Sequence, residues 1–322
     1  MRNLSAVSAT ASLQHIFKAC SKARAWGIGK LWAGSVCIDW SSSAGLSEAF
    51  NSMFEVFKSA QVSFAYLSDV NTQEEQLDGG WERPNHSRKE SNDLGGELDD
   101  AVQESESPPN EPELDDAGKY IERSKWRRRV WVLQELVASR NMQFYDSQWQ
   151  RVGSKKSLLP VLSSLFRIEI AVLEDSDCLP DISIACRMSW AAQFSTDQPE
   201  DMAYSLLGIF GVNMNIIYGE GQRAFLRLQE EILKDTTDAS LFAWQSTGSQ
   251  QYRGLFANSP YEFYHFLGHH HQSTHFRIQG HIQMTSAGIL IDSTFAAHST
   301  GTEATKNLRQ PCSIVKNLRQ YR

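Results

Sequence analysis

Glu135 is the residue whose type and surroundings best suit acid chemistry. It lies in the run VLQELV of residues 132–137, where its neighbours are mostly apolar. A carboxylate at the edge of an apolar helix face is either paired for structural reasons or held in place for catalysis. The residues by themselves favour a structural pair, and the catalytic interpretation stays open beside it.

A histidine-rich stretch is the second group with chemical potential, because imidazoles bind divalent metals. Its members fall within residues 265–281: His265, His269, His270, His271, His275 and His281. Side chains alternate between the two faces of a strand, so adjacent histidines cannot all reach one ion. We therefore expect an exposed polar loop here and no metal site.

Residues 126–131 (WRRRVW) form a basic and aromatic patch that could contact phosphate. Basic residues at a helix start oppose the helix dipole, which is a minor argument for a bound anion. The pattern favours a solvated basic face with Trp126 and Trp131 turned inward.

Composition and missing motifs narrow the function. There is no GxGxxG, Walker A, HExxH or GxSxG motif. The 322 residues carry 31 Lys+Arg against 38 Asp+Glu, a balance that argues against broad nucleic-acid binding. No apolar run approaches the roughly 20 residues that span a bilayer. Five cysteines without a CxxC pair are typical of reduced intracellular thiols. We expect a cytoplasmic protein without cofactor, nucleic-acid partner or membrane span.

The elements that must position Glu135 follow from apolar periodicity. A helix is predicted around residues 13–23, a strand at 31–38, a helix at 46–58 with Ser47 as its N-cap, and a strand at 62–67. Strand, helix and strand in this order predict a parallel sheet with crossover helices.

Beyond residue 70 the amino-acid composition changes. Acidic residues and prolines crowd residues 74–118, which we interpret as a disordered insertion. A helix at 125–137 and a strand at 141–145 follow. Later helices are predicted from residue 200 to a stop at Gly208, and after residue 221 with an inward face of Ala224, Phe225, Leu228 and Ile232. Alternating apolar residues over 276–292 predict antiparallel strands.

Several blocks resemble the fungal heterokaryon incompatibility (HET) domain. They are residues 36–39 (VCID), 41–54, 65–70 and 129–136 (RVWVLQEL). Residues 187–191, 200–210 and 218–232 resemble the segment that follows this domain in many such proteins, and residues 240–244 and 254–260 resemble its C-terminal region. The resemblance implies a partial HET domain over residues 1–150, a helical segment over 151–236, a β-rich region over 237–300 and an irregular tail over 301–322. In that tail KNLRQ occurs twice, at 306–310 and 316–320.

The resemblance implies a role in vegetative incompatibility, the self/non-self response of filamentous fungi that ends in programmed cell death. It also implies a flavodoxin-like fold related to TIR signalling domains, which innate immunity uses. In that comparison Glu135 falls at the glutamate that cleaves NAD in enzymatic TIR domains, so NAD would be a substrate. The motif positions are Cys37, Asp39, Trp131, Gln134 and Glu135.

Departures from the family pattern leave three hypotheses. The family's opening strand block, ending in Leu-Ser-His-x-Trp, has no counterpart, and Gly34 replaces an aspartate. The first hypothesis is a signalling protein that works by self-assembly or contact with protein partners. The second is an NAD glycohydrolase that uses Glu135, and the third is an inactive, degraded relative.

Overall fold

The structure, a computed structural model, describes residues 6–73, 114–246, 254–268, 280–285 and 288–293. The α-helices are α1 Ala6–Ala25, α2 Gly34–Cys37, α3 Ser43–Ser59, α4 Leu114–Arg123, α5 Val132–Ala138, α6 Leu159–Phe166, α7 Ile170–Glu174, α8 Ile184–Trp190, α9 Pro199–Tyr204, α10 Leu207–Phe210 and α11 Arg223–Lys234. The strands are β1 Ser63–Tyr66, β2 Met142–Tyr145, β3 Arg151–Ser154, β4 Gly280–Thr285 and β5 Gly288–Ser293. Short 3₁₀ helices are Trp126–Arg128, Ser176–Asp181, Ala191–Gln193, Ala239–Phe242 and Pro260–Phe266.

A three-stranded mixed sheet in the order β1-β2-β3 forms the centre of the α/β fold. Strands β1 and β2 are parallel, with Ser63 opposite Met142, whereas β3 runs antiparallel to β2. The predicted strands at 62–67 and 141–145 are therefore confirmed, and the parallel pairing that was predicted for the strands at 31–38 and 62–67 occurs instead between β1 and β2. The crossover between them contains α5, as parallel pairing requires.

The predicted strand at residues 31–38 is wrong. The chain forms the single helical turn α2 there, in which the Ala33 carbonyl accepts from the Val36 and Cys37 N–H groups. Val36 is 61% exposed. The side-chain burial that would favour a strand at this position is therefore absent. Only two strands, β1 and β2, thus form the parallel part of the described sheet.

Helix α3 carries the amphipathic face that the sequence predicts. Phe50, Met53 and Phe54 are buried. The predicted N-cap is wrong, because the helix begins earlier and the Ser42 hydroxyl accepts from the Gly45 N–H at 3.1 Å. The Ser47 hydroxyl instead accepts from the Ile216 N–H and ties α3 to a distant loop.

The predicted helix at 125–137 is broken. Arg129 is extended between the 3₁₀ turn at Trp126–Arg128 and α5. The apolar residues of the predicted stripe are still buried: Val130, Leu133, Leu136 and Val137. The break brings the Trp126 indole back onto the first turn of α5, which a continuous helix would not allow.

Gly208 does not end a helix, as the sequence suggested, but lies inside α10. A Cβ atom added there would overlap the Cβ of Phe54. Gly211, with a φ of 67°, ends α10 in the left-handed conformation. The inward face predicted after residue 221 is confirmed, because Ala224, Phe225, Leu228 and Ile232 of α11 are all buried.

The acidic insertion is shorter than predicted at its C-terminal side, because α4 begins at Leu114 and Ala117 is buried. The remaining part of that prediction, residues 74–113, lies outside the described residues. Hydrogen bonds between two pairs of residues hold the flanks of this stretch. The Asp69 carboxylate accepts from the Lys125 N–H at 3.1 and 2.9 Å, and Thr72 donates its N–H and its hydroxyl to Asp146.

At the N-terminus the predicted helix is confirmed as α1. Its stripe is only partly buried, since Ala23 is buried but Phe17 is 69% exposed. At the other end, β4 and β5 form a hairpin with Ile282 opposite Ile291. The predicted 237–300 region also contains two 3₁₀ helices. Most of the histidine-rich stretch (269–279) and the 301–322 tail with its repeat lie outside the described residues.

Candidate functional site

A cavity of about 1120 Å³ lies beside β1. Its walls are the inner side of α1, residues 28–40, the side of α3 that faces α1, the edge of β1, and residues 126–135. Aromatic side chains dominate the lining: Trp32, Trp40, Phe50, Phe57, Phe64, Tyr66, Trp126, Trp131 and Trp149. A space of this size, mostly apolar with few polar groups, has the character of a ligand or partner site.

Glu135 contributes a carboxylate to this cavity, and its side chain is 17% exposed. The Trp126 indole N–H donates to Glu135 Oε2 at 3.0 Å, and Arg129 Nη2 lies 3.8 Å from Oε1. The helix break described above creates both contacts. The carboxylate is therefore held in one orientation while it still lines the cavity, so the structural pairing is observed and the catalytic interpretation stays a prediction.

Trp131 and Gln134 face different surroundings. The Trp131 ring lies 4.8 Å from that of Phe50 on the cavity wall. Gln134 is buried and donates to the Tyr204 carbonyl at 3.1 Å, which fixes α5 to the end of α9. Of these two motif positions, only Trp131 lies at the site.

Cys37 and Asp39 lie outside the cavity. The Cys37 sulfur accepts from the Ala33 N–H, and Asp39 accepts from the Ser41 hydroxyl at 2.6 Å and from its N–H at 3.0 Å. These Ser41 bonds lower the pKa of Asp39. Both residues shape the turn after α2. Their neighbours Ile38 and Trp40 line the cavity instead.

The tryptophans and the arginines of the basic and aromatic patch lie in different surroundings, as predicted. Trp126 is buried, and its ring makes edge contacts with Phe144 and Phe166. Arg128 and Arg129 are largely solvated, whereas Arg127 donates to the Leu165 carbonyl. The tryptophans thus anchor the segment, and Arg129 alone among the three arginines lines the cavity.

A polar network behind Trp131 escaped the sequence analysis. Glu200 accepts from the Gly219 and Gly221 N–H groups at 2.7 and 2.8 Å. The Tyr204 hydroxyl bonds the backbone of Ile217 and donates to Glu220, and burial raises the pKa of Tyr204 to about 12. The network holds residues 200–221 against α5 and leaves Glu135 on the other side.

Asp201 links this network to the cavity wall. It accepts from the Tyr218 hydroxyl at 2.7 Å and also interacts with the Trp131 side chain. Burial raises the pKa of Asp201, and it raises that of Tyr218 as well. The orientation of Trp131 therefore depends on residues 70 to 87 positions further along the chain. Nothing in the local sequence around Trp131 signals that dependence.

His15, Tyr66 and Trp149 form a second group that the sequence did not indicate. Their rings are in contact in series: His15 is tilted against Tyr66 at 4.7 Å between centroids, and Tyr66 stacks on Trp149 at 5.1 Å. They come from α1, β1 and the β2–β3 turn. Only the placement of His15 near Ile16 on an amphipathic helix could have hinted at its inward position.

Neither a metal-binding cluster nor a membrane-spanning helix occurs in the described part of the chain. No group of three or more His, Cys, Asp or Glu side chains there could hold a metal ion. No helix among the described residues is long and apolar enough to cross a membrane.

These features define a mixed α/β protein with a ligand-sized aromatic cavity beside an edge strand. Residues 2–135 match the model of the heterokaryon incompatibility protein family (HET), so this part of the chain is a HET domain. Residues 223–296 match a domain of unknown function (DUF8212). The match to HET includes all the walls of the cavity except Trp149.

Vegetative incompatibility protein HET-E-1 of Podospora anserina is 34% identical to this chain over 216 residues. The aligned part covers 66% of this chain but only 13% of that protein. No solved structure matches the chain.

Proposed function

We propose that this chain acts in vegetative incompatibility, as a cytoplasmic signalling protein whose HET domain triggers programmed cell death through contacts with other proteins. The observation that carries the proposal is the HET match over residues 2–135, joined by the similarity to a vegetative incompatibility protein. Exposed large apolar side chains in this part, among them Phe17, Val36 and Trp40, support contacts with a partner.

A second candidate function is cleavage of NAD. It is favoured by one observation, the position of Glu135 on the wall of a cavity that also reaches Tyr66 and Ser68 at the carboxyl end of β1. Ligands of open α/β sheets bind at that end of the strands. The parallel β1–β2 pair is also compatible with a flavodoxin-like relative of TIR domains, although a fold by itself does not establish chemistry.

The chemistry would be hydrolysis of the nicotinamide–ribose bond. The bond from ribose C1′ to the pyridinium nitrogen breaks, and its electron pair stays with nicotinamide. A water oxygen then bonds to C1′ and releases a proton. The Glu135 carboxylate would stabilise the positive charge that develops on the ribose ring. Trp126 and Arg129 would hold that carboxylate in place.

One pair of variants separates the two functions. Glu135→Gln keeps the shape and can still accept from Trp126, so it should fold, but it removes the negative charge. Glu231→Gln is the matched control, because among the described residues Glu231 pairs with Lys234 alone, at a partly exposed position on α11. Inducible expression in a filamentous fungus, with vital-dye uptake as the measure of cell death, should give death with the wild type and the control.

The outcomes are distinct. Death that persists with Glu135→Gln supports signalling by contact, whereas loss of both death and NAD turnover in Glu135→Gln alone supports the enzyme. NAD turnover is measured on purified protein over a range of concentrations. A folded wild-type chain that causes no death would contradict the proposed signalling role and favour a degraded relative.

A further inference from the structure

The outer edge of β1 has unused hydrogen-bonding groups. The Ser63 N–H donates to the Asn141 carbonyl at 2.8 Å, and the Leu67 N–H donates to the Tyr145 carbonyl at 2.8 Å. Backbone groups alternate in direction along a strand, so the N–H and C=O groups of Phe64 and Tyr66 point away from β2. Within the described residues these four groups have no hydrogen-bond partner.

Helices cover both faces of the sheet beside this edge. On the face of Phe64 and Tyr66, α1 packs through the His15–Tyr66 ring contact. On the other face, Ser139 at the end of α5 donates to the Ser63 hydroxyl, and α3 packs on α5 through Phe50 and Trp131. The cavity is lined by residues of α1 and α3 together with Ser63, Phe64 and Tyr66 of β1, so a strand added to the free edge of β1 would enter it.

Two buried side-chain groups on the cavity wall also lack partners. Trp149 is 5% exposed, and neither its indole N–H nor His15 Nδ1 has a hydrogen-bond partner within the described part. Trp149 has a φ of 62°, which is unfavourable for a bulky residue and needs support from its surroundings. Buried polar groups are nearly always paired, so orphans next to an unpaired strand edge indicate a missing ligand with its own polar groups.

We propose that this part of the cavity, the edge groove formed by His15, Phe64, Tyr66 and Trp149, binds an extended peptide of another polypeptide as an added β-strand. The backbone of that peptide satisfies the N–H and C=O groups of Phe64 and Tyr66. Its alternate side chains are apolar and fill the space between α1 and α3, whose lining includes Ile16 and Phe57. The occupant is a peptide, because only a second backbone supplies donors and acceptors at strand spacing.

The edge lacks the usual protection against such pairing. Natural edge strands are blunted by charged residues, prolines or bulges, whereas β1 reads Ser-Phe-Ala-Tyr and carries none of these. This inference goes beyond the proposed function and does not require NAD cleavage, because the groups involved belong to β1 and not to Glu135.

Selection from a phage library of random peptides on the purified full chain tests the groove. Phe64→Pro removes an N–H that bonds nothing in β2 and should therefore fold, since proline is tolerated where an edge N–H faces outward. Phe64→Ala is the matched control, because it shortens the same side chain but keeps the N–H. Selected peptides should share alternating apolar residues, and Phe64→Pro should weaken their binding by about tenfold more than Phe64→Ala does.

Amide hydrogen exchange gives a second readout that does not depend on variants. A bound peptide should slow exchange at Phe64 and Tyr66 and leave Ala65, whose N–H already faces β2, unchanged. The inference is overturned if selected peptides bind Phe64→Pro as well as Phe64→Ala. It is equally overturned if NAD alone slows exchange at Phe64 and Tyr66, or if the chain protects them by pairing with its own second copy.

Discussion

Neighbouring side chains on one face of α3 meet two different kinds of surroundings. Toward α10, Phe54 packs against Gly208 so closely that a single added carbon has no room. Toward α1 and β1, Phe50 and Phe57 line a cavity of about 1120 Å³. One helix therefore belongs both to a close-packed core and to the wall of the candidate site. The comparison places the candidate site where packing is incomplete.

The largest expected effect comes from filling the packed side. Gly208→Ala places its Cβ against Phe54 Cβ, an atom that cannot rotate away, and should lower the free energy of unfolding by about 3 kcal/mol or more. Gly29→Ala is the control, because nothing lies within 4 Å of a Cβ there. Urea unfolding of both variants checks the comparison, and equal midpoints would mean that the α3–α10 contact is looser than described.

The contribution of the buried Lys155 to the free energy of unfolding should depend on pH. It is buried and donates to the Leu136 and Ser139 carbonyls at 2.6 Å each, at the end of the helix that carries Glu135. Burial lowers its pKa from 10.5 to about 8. Between these values the unfolded chain binds more protons, so stability should be flat below pH 8 and rise by about 3 kcal/mol toward pH 10.5.

The measurement for Lys155 is a difference between two curves. Unfolding free energies of the wild type and Lys155→Met are compared from pH 7 to 10.5, since tyrosines titrate in both proteins and cancel. Parallel curves would show that the amine is not the group responsible.

Removing an acceptor from the polar network behind Trp131 should destabilise the protein. Glu200→Ala leaves the Gly219 and Gly221 N–H groups without their acceptor and should lower the free energy of unfolding by about 2 kcal/mol. Burial alone would raise the pKa of Glu200, but the backbone N–H groups of Gly221, Glu200 and Gly219 together lower it. Its contribution is therefore complete at neutral pH and is lost as the pH falls below the ordinary value of 4.5.

Comparing Glu200→Ala with Glu231→Ala separates the effect of losing a buried hydrogen-bond network from the effect of losing a surface ion pair. Glu231 pairs with Lys234 on an exposed helix face, so its loss should change stability by less than about 0.5 kcal/mol. Similar losses in the two variants at neutral pH would contradict a structural role for the network.

The smallest effect is expected on the cavity side. Ala19→Leu on α1 adds apolar volume to the cavity and should leave the free energy of unfolding within about 0.5 kcal/mol of the wild type. Ala203→Leu, in the fully buried part of α9, should lower it by about 1 to 3 kcal/mol. Differential scanning calorimetry of the pair decides, and a clear loss with Ala19→Leu would mean that the cavity closes in solution.

Local patterns predicted the elements whose periodicity is decided by burial. The face of α3, the strands β1 and β2, and the inward side of α11 follow from apolar spacing alone. The segment at 31–38 was misassigned because its β-forming residues Val36 and Cys37 are exposed in the fold. The break before α5 was missed because helix propensities do not record contacts between distant side chains, such as the Trp126–Glu135 bond that accompanies the break.

The site was predictable only where a single segment supplies it. Glu135 and Trp131 were found, since they lie four residues apart in one block. Cys37, Asp39 and Gln134 belong to the same resemblance but serve turns and packing outside the cavity. His15, Tyr66 and Trp149 come together only in the tertiary structure, so their spacing in the sequence could not predict this contact.

The bonds from Asp69 to Lys125 and from Thr72 to Asp146 have an evolutionary consequence. They fasten the two flanks of residues 74–113 independently of what joins them. Each doubling of a joining segment costs only about 0.6 kcal/mol in closure entropy. We therefore expect insertions, deletions and charge changes at this point to cost the domain little stability, so that selection on the domain leaves this segment free to diverge.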